Sequence, residues 1–440
     1  MEASLHDAFA AAMARLPPFE PAPALAAAVS GGADSLALAL LARDWLAPRG
    51  GSLTALVVDH GLRAASANEA RTTLDRLGRQ GIPARLITLC DLTPGPALAA
   101  RARAARYAAL IAACAEVGIL HLLLGHHAGD QAETLRMRQL SGSGARGLAG
   151  MAAVVEGEHL RLLRPLLAVP PARLRALLRA AGLEWVEDPS NYNLATLRAR
   201  LRLELADPDG EGPVVAGLVR AAAAQGECRA AEDGAIAAEL AACVRLYPEG
   251  WAVLHAPPVS AAALSALLRM VAGRDYPVPS AAVQSLARAP RAATLAGARL
   301  LPAGRMGAPG EWLVVREAAA MAPPVAAGPG VTWDGRFRLS ASAMPPAGAT
   351  LGALGADAPR VRGGGVAWPD AVLRALPAVR VGGTVVAVPH LDYPDGRVCA
   401  RLQVAFVPAV PLACASFMPG LPEVINHLGV AASGGGARTV

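Results

Sequence analysis

Ser30-Gly31-Gly32-Ala33-Asp34-Ser35 follows an apolar run, Leu25 to Val29, and precedes a helical pattern of apolar residues at Leu36, Leu38, Leu40, Leu41 and Trp45. The order reads as strand, glycine loop, helix. Two adjacent glycines let the backbone turn tightly and approach a ligand with no Cβ in the way. The turn aims free backbone N–H groups and the positive end of a helix at one point, a setting that suits phosphate. Ser30 and Ser35 add hydroxyl donors. Asp34 would repel phosphate unless a cation sits between them, so it reads as a Mg²⁺ contact. The bland alternative is a helix start whose Ser and Asp only cap the first turn.

The chain has 440 residues and a net charge of +6, and every basic residue is arginine. Without lysine there is no P-loop lysine, no Schiff base and no lysyl-nucleotide intermediate. The loop also lacks the Gly-x-Gly-x-x-Gly of dinucleotide sites. No run of about 18 apolar residues predicts a membrane span; Val404 to Met418 comes nearest, but Pro408 and Pro411 interrupt it. Glu2 and Asp7 precede the first arginine, the wrong order for a signal peptide, so a cytoplasmic protein is expected. Six scattered cysteines, none in Cys-x-x-Cys, argue for buried small hydrophobes over disulfides or zinc. Eleven arginines against five acids fall between Arg136 and Arg202. Such a stripe is a footprint for nucleic acid, or else a solvated face.

Strand and helix patterns alternate through Leu53 to Val58, Ser66 to Gly78, Ala84 to Leu89, Leu98 to Val117, Ile119 to Leu124 and Asp130 to Leu140. Alternation of this kind predicts an α/β fold with a doubly wound parallel sheet, whose ligands bind at the carboxyl ends of the strands. The 30–35 loop, Asp59-His60 and Gly125-His126-His127 all follow strands and would share one rim. Ser66 with Glu69 reads as a capping box. The expected domains are 1–205, which carries the glycine loop; 206–300, mostly helical; and 301–440, a mixed α+β, strand-rich region ending in a disordered tail. Val331 to Leu339 and Val379 to Val388 each read as a strand.

The second polar cluster is His126-His127-Ala128-Gly129-Asp130-Gln131-Ala132-Glu133-Thr134. On a helix starting near Gly129, Asp130, Glu133 and Thr134 share a face. Asp130 and Glu133 would hold Mg²⁺ or meet a cationic substrate; helix capping by Asp130 is the alternative. Adjacent histidines with no His-x-x-x-His do not suit zinc.

Ser-Gly-Gly-x-Asp-Ser resembles the PP-loop of ATP pyrophosphatases. Together with VDHGLRAASANEA, RARAARYAAL, GHHAGDQAETLRMRQLSGSGARGLAGM, RLLRPLL and EDPSNYN…RARLR, it resembles the tRNA(Ile)-lysidine synthetase family over roughly residues 25–205. The WDGRF of Trp333 to Phe337 is similar to that family's C-terminal region. The resemblance implies that ATP adenylates the C2 oxygen of the wobble cytidine in a CAU-anticodon tRNA(Ile). The amine of free lysine then displaces AMP. It implies phosphate contacts at Ser30, Gly31, Gly32, Ala33 and Ser35, and Mg²⁺ at Asp34 and Asp130. Asp59, His60 and Arg103 would lie at the nucleotide, and Arg106 at the RNA beside Tyr107. Asp130, Glu133 and His126 would serve catalysis on the lysine side, and Arg198 and Arg202 the tRNA. The resemblance also makes 1–205 the PP-loop ATP-binding catalytic domain and implies a tRNA contact in 206–300; the assembly state is left open, a homodimer included. The chain departs from the family pattern at Gly129, Ala99, Asn193 and Ala199, where acids or Asn are usual. A PP-loop tRNA thiolase and a tRNA-binding relative with weakened catalysis are the alternatives.

Overall fold

The computed structural model describes residues 4–62, 65–89, 92–93, 95–187, 194–255, 259–274, 278–361 and 368–420. Asn193, Cys90, the end of the EDPSNYN motif and the expected tail lie outside the described residues. Contacts divide the chain into two compact units, Met1–Ala231 with Phe417–Val440, and Glu232–Ser416.

The first unit runs α1 (Leu5–Ala14), β1 (Ala24–Val29), α2 (Ala33–Leu46), β2 (Ser52–Asp59), α3 (Ser66–Arg79), β3 (Ala84–Thr88), α4 (Leu98–Glu116), β4 (His121–Leu123), α5 (Ala128–Leu140), α6 (Ala145–Leu148), β5 (Val154–Glu156), β6 (Arg161–Leu163), α7 (Pro171–Ala180), α8 (Leu197–Leu205) and the start of α9 (Pro213–Cys243). Its sheet has the order β3-β2-β1-β4-β6-β5. All neighbours pair in parallel except β5 with β6.

The alternation of β1 shows why the sheet is covered on both faces. Leu25, Ala27 and Val29 join the core formed with Leu38 and Leu41 of α2, Leu77 of α3 and Leu174 and Leu178 of α7. Ala26 points the other way, into the cluster of Leu56, Leu122 and Leu110, Ala113 and Cys114 of α4. Side chains of period two on a strand buried on both faces read as a continuous apolar run, as Leu25 to Val29 does. The order reverses between β1 and β4, so the crevice for a ligand opens beside Ser30 and the residues after Leu123.

The expected capping box at Ser66 is not formed. The helix is capped by the backbone at Ala65, and the Ser66 hydroxyl hydrogen-bonds Asp59 instead.

The second unit holds three antiparallel sheets. The largest orders Val244–Tyr247, Trp251–Leu254, Trp312–Arg316, Ala298–Pro302 and Ala293–Leu295 and packs against the helix Ala261–Ala272. Strands therefore also occur within 206–300, and residue 301 falls inside one of them. Val331 to Leu339 is a hairpin, Thr332–Trp333 with Phe337–Leu339, because Asp334 and Gly335 take positive φ of 56° and 62°. Gly382 and Gly383 likewise split the second expected strand into Pro377–Val381 and Thr384–Ala387.

Candidate functional site

The loop after β1 is shaped from within. Ser35 Oγ accepts from Ser30 N at 3.1 Å and donates to Gly32 O at 3.0 Å. Ser30 Oγ lies 3.3 Å from Ser35 Oγ. Gly31 has φ +85°, and a Cβ there would stand 2.4 Å from Thr73 Oγ1 of α3. Both the sign of φ and the space thus require glycine. Gly32 caps α2 with extended backbone and no side-chain acceptor. Asp34 therefore does not serve as the cap, and the first N–H groups of a 14-residue helix face the crevice.

Across the crevice, α5 begins with a histidine cap. His127 Nδ1 accepts from Gly129 N at 3.1 Å, and His127 N donates to Asp130 Oδ2 at 3.1 Å. With Nδ1 accepting, the ring proton resides on Nε2. That nitrogen lies 3.6 Å from Asp34 Oδ2 and 3.6 Å from Asp130 Oδ2. Burial raises the Asp34 carboxyl above its ordinary value and nearby Asp130 adds to this, while His127 and Arg175 oppose it. Burial also presses Asp130 upward, but His127, His126, the His127 N–H and Arg198 outweigh it and hold Asp130 below the usual range. Among the described residues no three His, Cys, Asp or Glu side chains are grouped to cage a metal. Two converging carboxylates are the protein complement that Mg²⁺ takes beside substrate phosphates, so Asp34 and Asp130 fit that ion.

Further along α5, Glu133 is buried. Its Oε1 accepts from Arg202 Nε at 2.5 Å, and Arg198 Nε lies 3.7 Å from Oε2. Arg202 Nη2 also reaches Asp130 Oδ1 at 3.5 Å. Burial lifts the Glu133 carboxyl above its ordinary value against the pull of Arg202. The two arginines of α8 thus lie on the acidic face of α5 while staying 40 % and 39 % exposed.

His126 sits beside these groups. Burial pushes it down to about 4; Asp130 opposes, and Arg164, Arg103 and Arg198 add to the fall. It is neutral at pH 7, and its buried Nδ1 has no hydrogen-bond partner among the described residues. Arg103 donates to the Tyr107 hydroxyl at 3.3 Å, and Arg106 and Arg164 bond the same oxygen. Arg164 and His127 are site residues that the sequence reading did not single out for a role. Arg164 lies within the quoted RLLRPLL, and His127 beside His126, but no spacing marks either of them.

Asp59 is oriented inward. It accepts from Gly61 N at 3.0 Å and from Ser66, and so shapes the loop after β2. His60 Nδ1 accepts from Leu62 N at 3.2 Å. Much of the arginine stripe has a similar internal use. Arg138 bonds Gly147 O and Gly150 O, Arg161 bonds Leu16 O, Pro17 O and Pro18 O, and Arg164 bonds Ala152 O. Gln131 exchanges two hydrogen bonds with the Met151 backbone, at 2.7 and 3.2 Å. The glycine-rich return after α5 is thereby latched to the helix. Cys114 is buried and its thiol is pushed up to about 11, which withholds the thiolate a sulfur carrier needs.

Residues 3–208 match the PP-loop domain family, which implies ATP binding. A tRNA(Ile)-lysidine synthase of Hyphomonas neptunium is 40 % identical over 309 residues, spanning 67 % of this chain and 83 % of that protein. One from Brucella anthropi is 36 % identical over 351 residues, 73 % of this chain and 75 % of that protein. One from Bradyrhizobium diazoefficiens is 44 % identical over 214 residues, but the match spans 48 % of this chain and only 59 % of that protein's length. Among solved structures, a U34-tRNA thiolase of Methanococcus maripaludis aligns with TM-score 0.42 and 17 % identity over 49 % of this chain and 76 % of that one. With four fifths of one relative and three quarters of another aligned well above 30 % identity, the chain belongs to the tRNA(Ile)-lysidine synthase family.

Proposed function

We propose that this protein joins free lysine to C2 of the wobble cytidine in a CAU-anticodon tRNA(Ile), at the expense of ATP. One observation carries the reading. Asp34 on the phosphate loop and Asp130 on α5 meet at a single imidazole nitrogen, so the phosphate cradle and the acidic helix face belong to one site. In the first step the cytidine C2 oxygen attacks the α-phosphorus of ATP. An O–P bond forms and pyrophosphate leaves. In the second step the lysine amine attacks C2, a C–N bond forms, the C–O bond breaks, and AMP departs with the oxygen.

The residues divide these tasks. The Ser30–Ser35 loop and the start of α2 hold the phosphates with backbone N–H groups. Mg²⁺, held by Asp34 and Asp130, would offset the charge gathering on the leaving group. Asp130 and Glu133 draw the lysine ammonium, and Arg198 and Arg202 fix Glu133 in place. His126, neutral at pH 7, lies beside Asp130 and adds no charge to the lysine side. Arg103, Arg106 and Arg164, gathered on Tyr107, provide positive charge for nucleotide or RNA phosphate.

Mass analysis of the tRNA after incubation with ATP and lysine tests the proposal, and one added lysine is the expected product. Asp34→Ala should stop pyrophosphate release with the fold intact. Glu133→Gln should slow AMP release more than pyrophosphate release in single turnover, so that adenylated tRNA accumulates. If pyrophosphate release alone were slowed, Glu133 would belong to the first step.

A further inference from the structure

The acidic face of α5 is covered by the arginines of α8. Arg202 Nε donates to Glu133 Oε1 at 2.5 Å, and its Nη2 stands 3.5 Å from Asp130 Oδ1. One guanidinium thus spans both carboxylates read as the seat of the lysine ammonium. Arg198 Nε stands 3.7 Å from Glu133 Oε2, near enough for charge and too far for a hydrogen bond. That buried Oε2 has no hydrogen-bond partner among the described residues. The Glu133 side chain is only 3 % exposed, whereas Arg198 and Arg202 keep 40 % and 39 %. An ammonium arriving from water therefore meets the guanidiniums first, as charges of its own sign. The carboxylate beneath is out of its reach until they turn aside.

We propose that Arg202, with Arg198 beside it, is a gate that couples the two substrates: RNA phosphate draws the guanidiniums outward and uncovers Glu133 for lysine. The inference rests on reading Asp130 and Glu133 as the lysine side. It goes further in tying lysine recognition to the presence of RNA. The physical basis is a competition. Arginine pairs with carboxylate and with phosphate through the same two-pronged fork, so a guanidinium turned onto phosphate no longer spans Glu133 and Asp130. The coupling is reciprocal. Lysine on Glu133 frees the arginines for RNA, so each substrate tightens the other by the same factor. A contact that only fixed Glu133 in place would help lysine bind and would give no such coupling.

Equilibrium dialysis of radiolabelled L-lysine against the full chain, without ATP and with or without the CAU-anticodon tRNA(Ile), tests the gate. The pH is set at 8 to keep the raised Glu133 carboxyl ionised. In wild type, RNA should tighten lysine binding about tenfold and lysine should tighten RNA binding equally, within the ordinary range of coupling between sites. Arg202→Gln should bind lysine without RNA as tightly as wild type does with it, and should lose the coupling. Arg198→Gln should move part of the way. Absence of coupling in wild type would overturn the proposal. So would weaker lysine binding in Arg202→Gln at an unchanged melting temperature, since the guanidinium would then be a support for Glu133 and no gate. Should Arg202→Gln lose its fold, Arg198→Gln decides: tighter lysine binding without RNA upholds the gate, and unchanged or weaker binding overturns it. Lysine binding indifferent to Glu133→Gln would instead overturn the placement of lysine on α5, and the gate with it.

Discussion

Gly31 is held by two constraints at once, a positive φ and the Thr73 hydroxyl 2.4 Å from where a Cβ would be. Gly31→Ala should destabilise the first unit by about 1–3 kcal/mol, the cost of backbone strain of this kind. Thr73→Ala in the same chain should recover part of it, because the Thr73 Cβ would stay 3.6 Å away once the hydroxyl is gone. A double-mutant cycle of urea melts reads the coupling. Asp34 shows the opposite balance, a residue kept at the expense of stability. Its carboxyl is raised in the folded state, so the fold favours the protonated form. Asp34 therefore costs nothing below the unfolded carboxyl value of 3.8, and its cost grows as pH rises through the folded value. Asp34→Asn is expected to raise the melting temperature at pH 7 and to lose that gain toward pH 4, while activity is lost at both. A lower melting temperature at pH 7 would mean that the carboxylate stabilises the site as it stands.

At the scale of the element, the WDGRF hairpin shows how a motif can serve the fold. Asp334, at the turn, accepts from Arg316 Nε and Nη2 and from Arg336 Nε, each at 2.9 Å, and from Ala322 N at 2.9 Å. All three charged side chains are buried. Burial pushes Arg336 down to about 10, with Asp334 opposing. Burial also presses Asp334 upward, but Arg316, Arg336 and the Ala322 N–H hold it below the usual carboxylate range. Asp334→Asn leaves two buried guanidiniums short of one countercharge, at a cost of about 3–5 kcal/mol. The sign with pH follows from the lowered value. The stabilisation is complete above the unfolded value and disappears as pH falls through the folded one. Near-ultraviolet circular dichroism should show the variant losing the second unit at milder denaturant than wild type at neutral pH, with the difference closing as strong acid protonates Asp334. Helix α5 is an element of the other kind. Its buried polar face, Asp130, Gln131, Glu133 and Thr134, serves the latch at Met151 and the candidate site together.

At the scale of the molecule, the chain returns to its first unit at residue 417. Ala153 N donates to Met418 O at 2.7 Å, and the Arg229 guanidinium lies over the Phe417 ring at 4.4 Å. A Cβ on Gly420 would stand 2.6 Å from Leu167 Cβ. Gly420→Leu should thus overpack this seat and cost about 1–3 kcal/mol in the first unit, seen as a lower melting temperature. The arginine stripe can be sorted by function through salt. Arg198→Ala and Arg202→Ala are expected to lower the salt slope of tRNA binding by about one unit each. Arg138→Ala and Arg161→Ala should leave it unchanged, since their guanidiniums are turned onto backbone carbonyl oxygens and Arg161 is only 15 % exposed, whereas Arg198 and Arg202, though paired with Glu133, keep 40 % and 39 % of their side chains open to solvent. A wild-type slope in all four variants would make the stripe structural. The parallel sheet, the phosphate loop and the helix of Asp130 and Glu133 were legible from sequence because each rests on local pattern: an apolar run, paired glycines, helical spacing. The hairpins were marked only by the turn dipeptides Asp334-Gly335 and Gly382-Gly383, which the apolar runs on either side masked when each was read as one strand. Nor were the capping role of His127, the inward turn of Asp59, or the inward use of Arg138 and Arg161 legible. Those depend on which atoms from distant parts of the chain come within hydrogen-bond reach, and packing alone decides that.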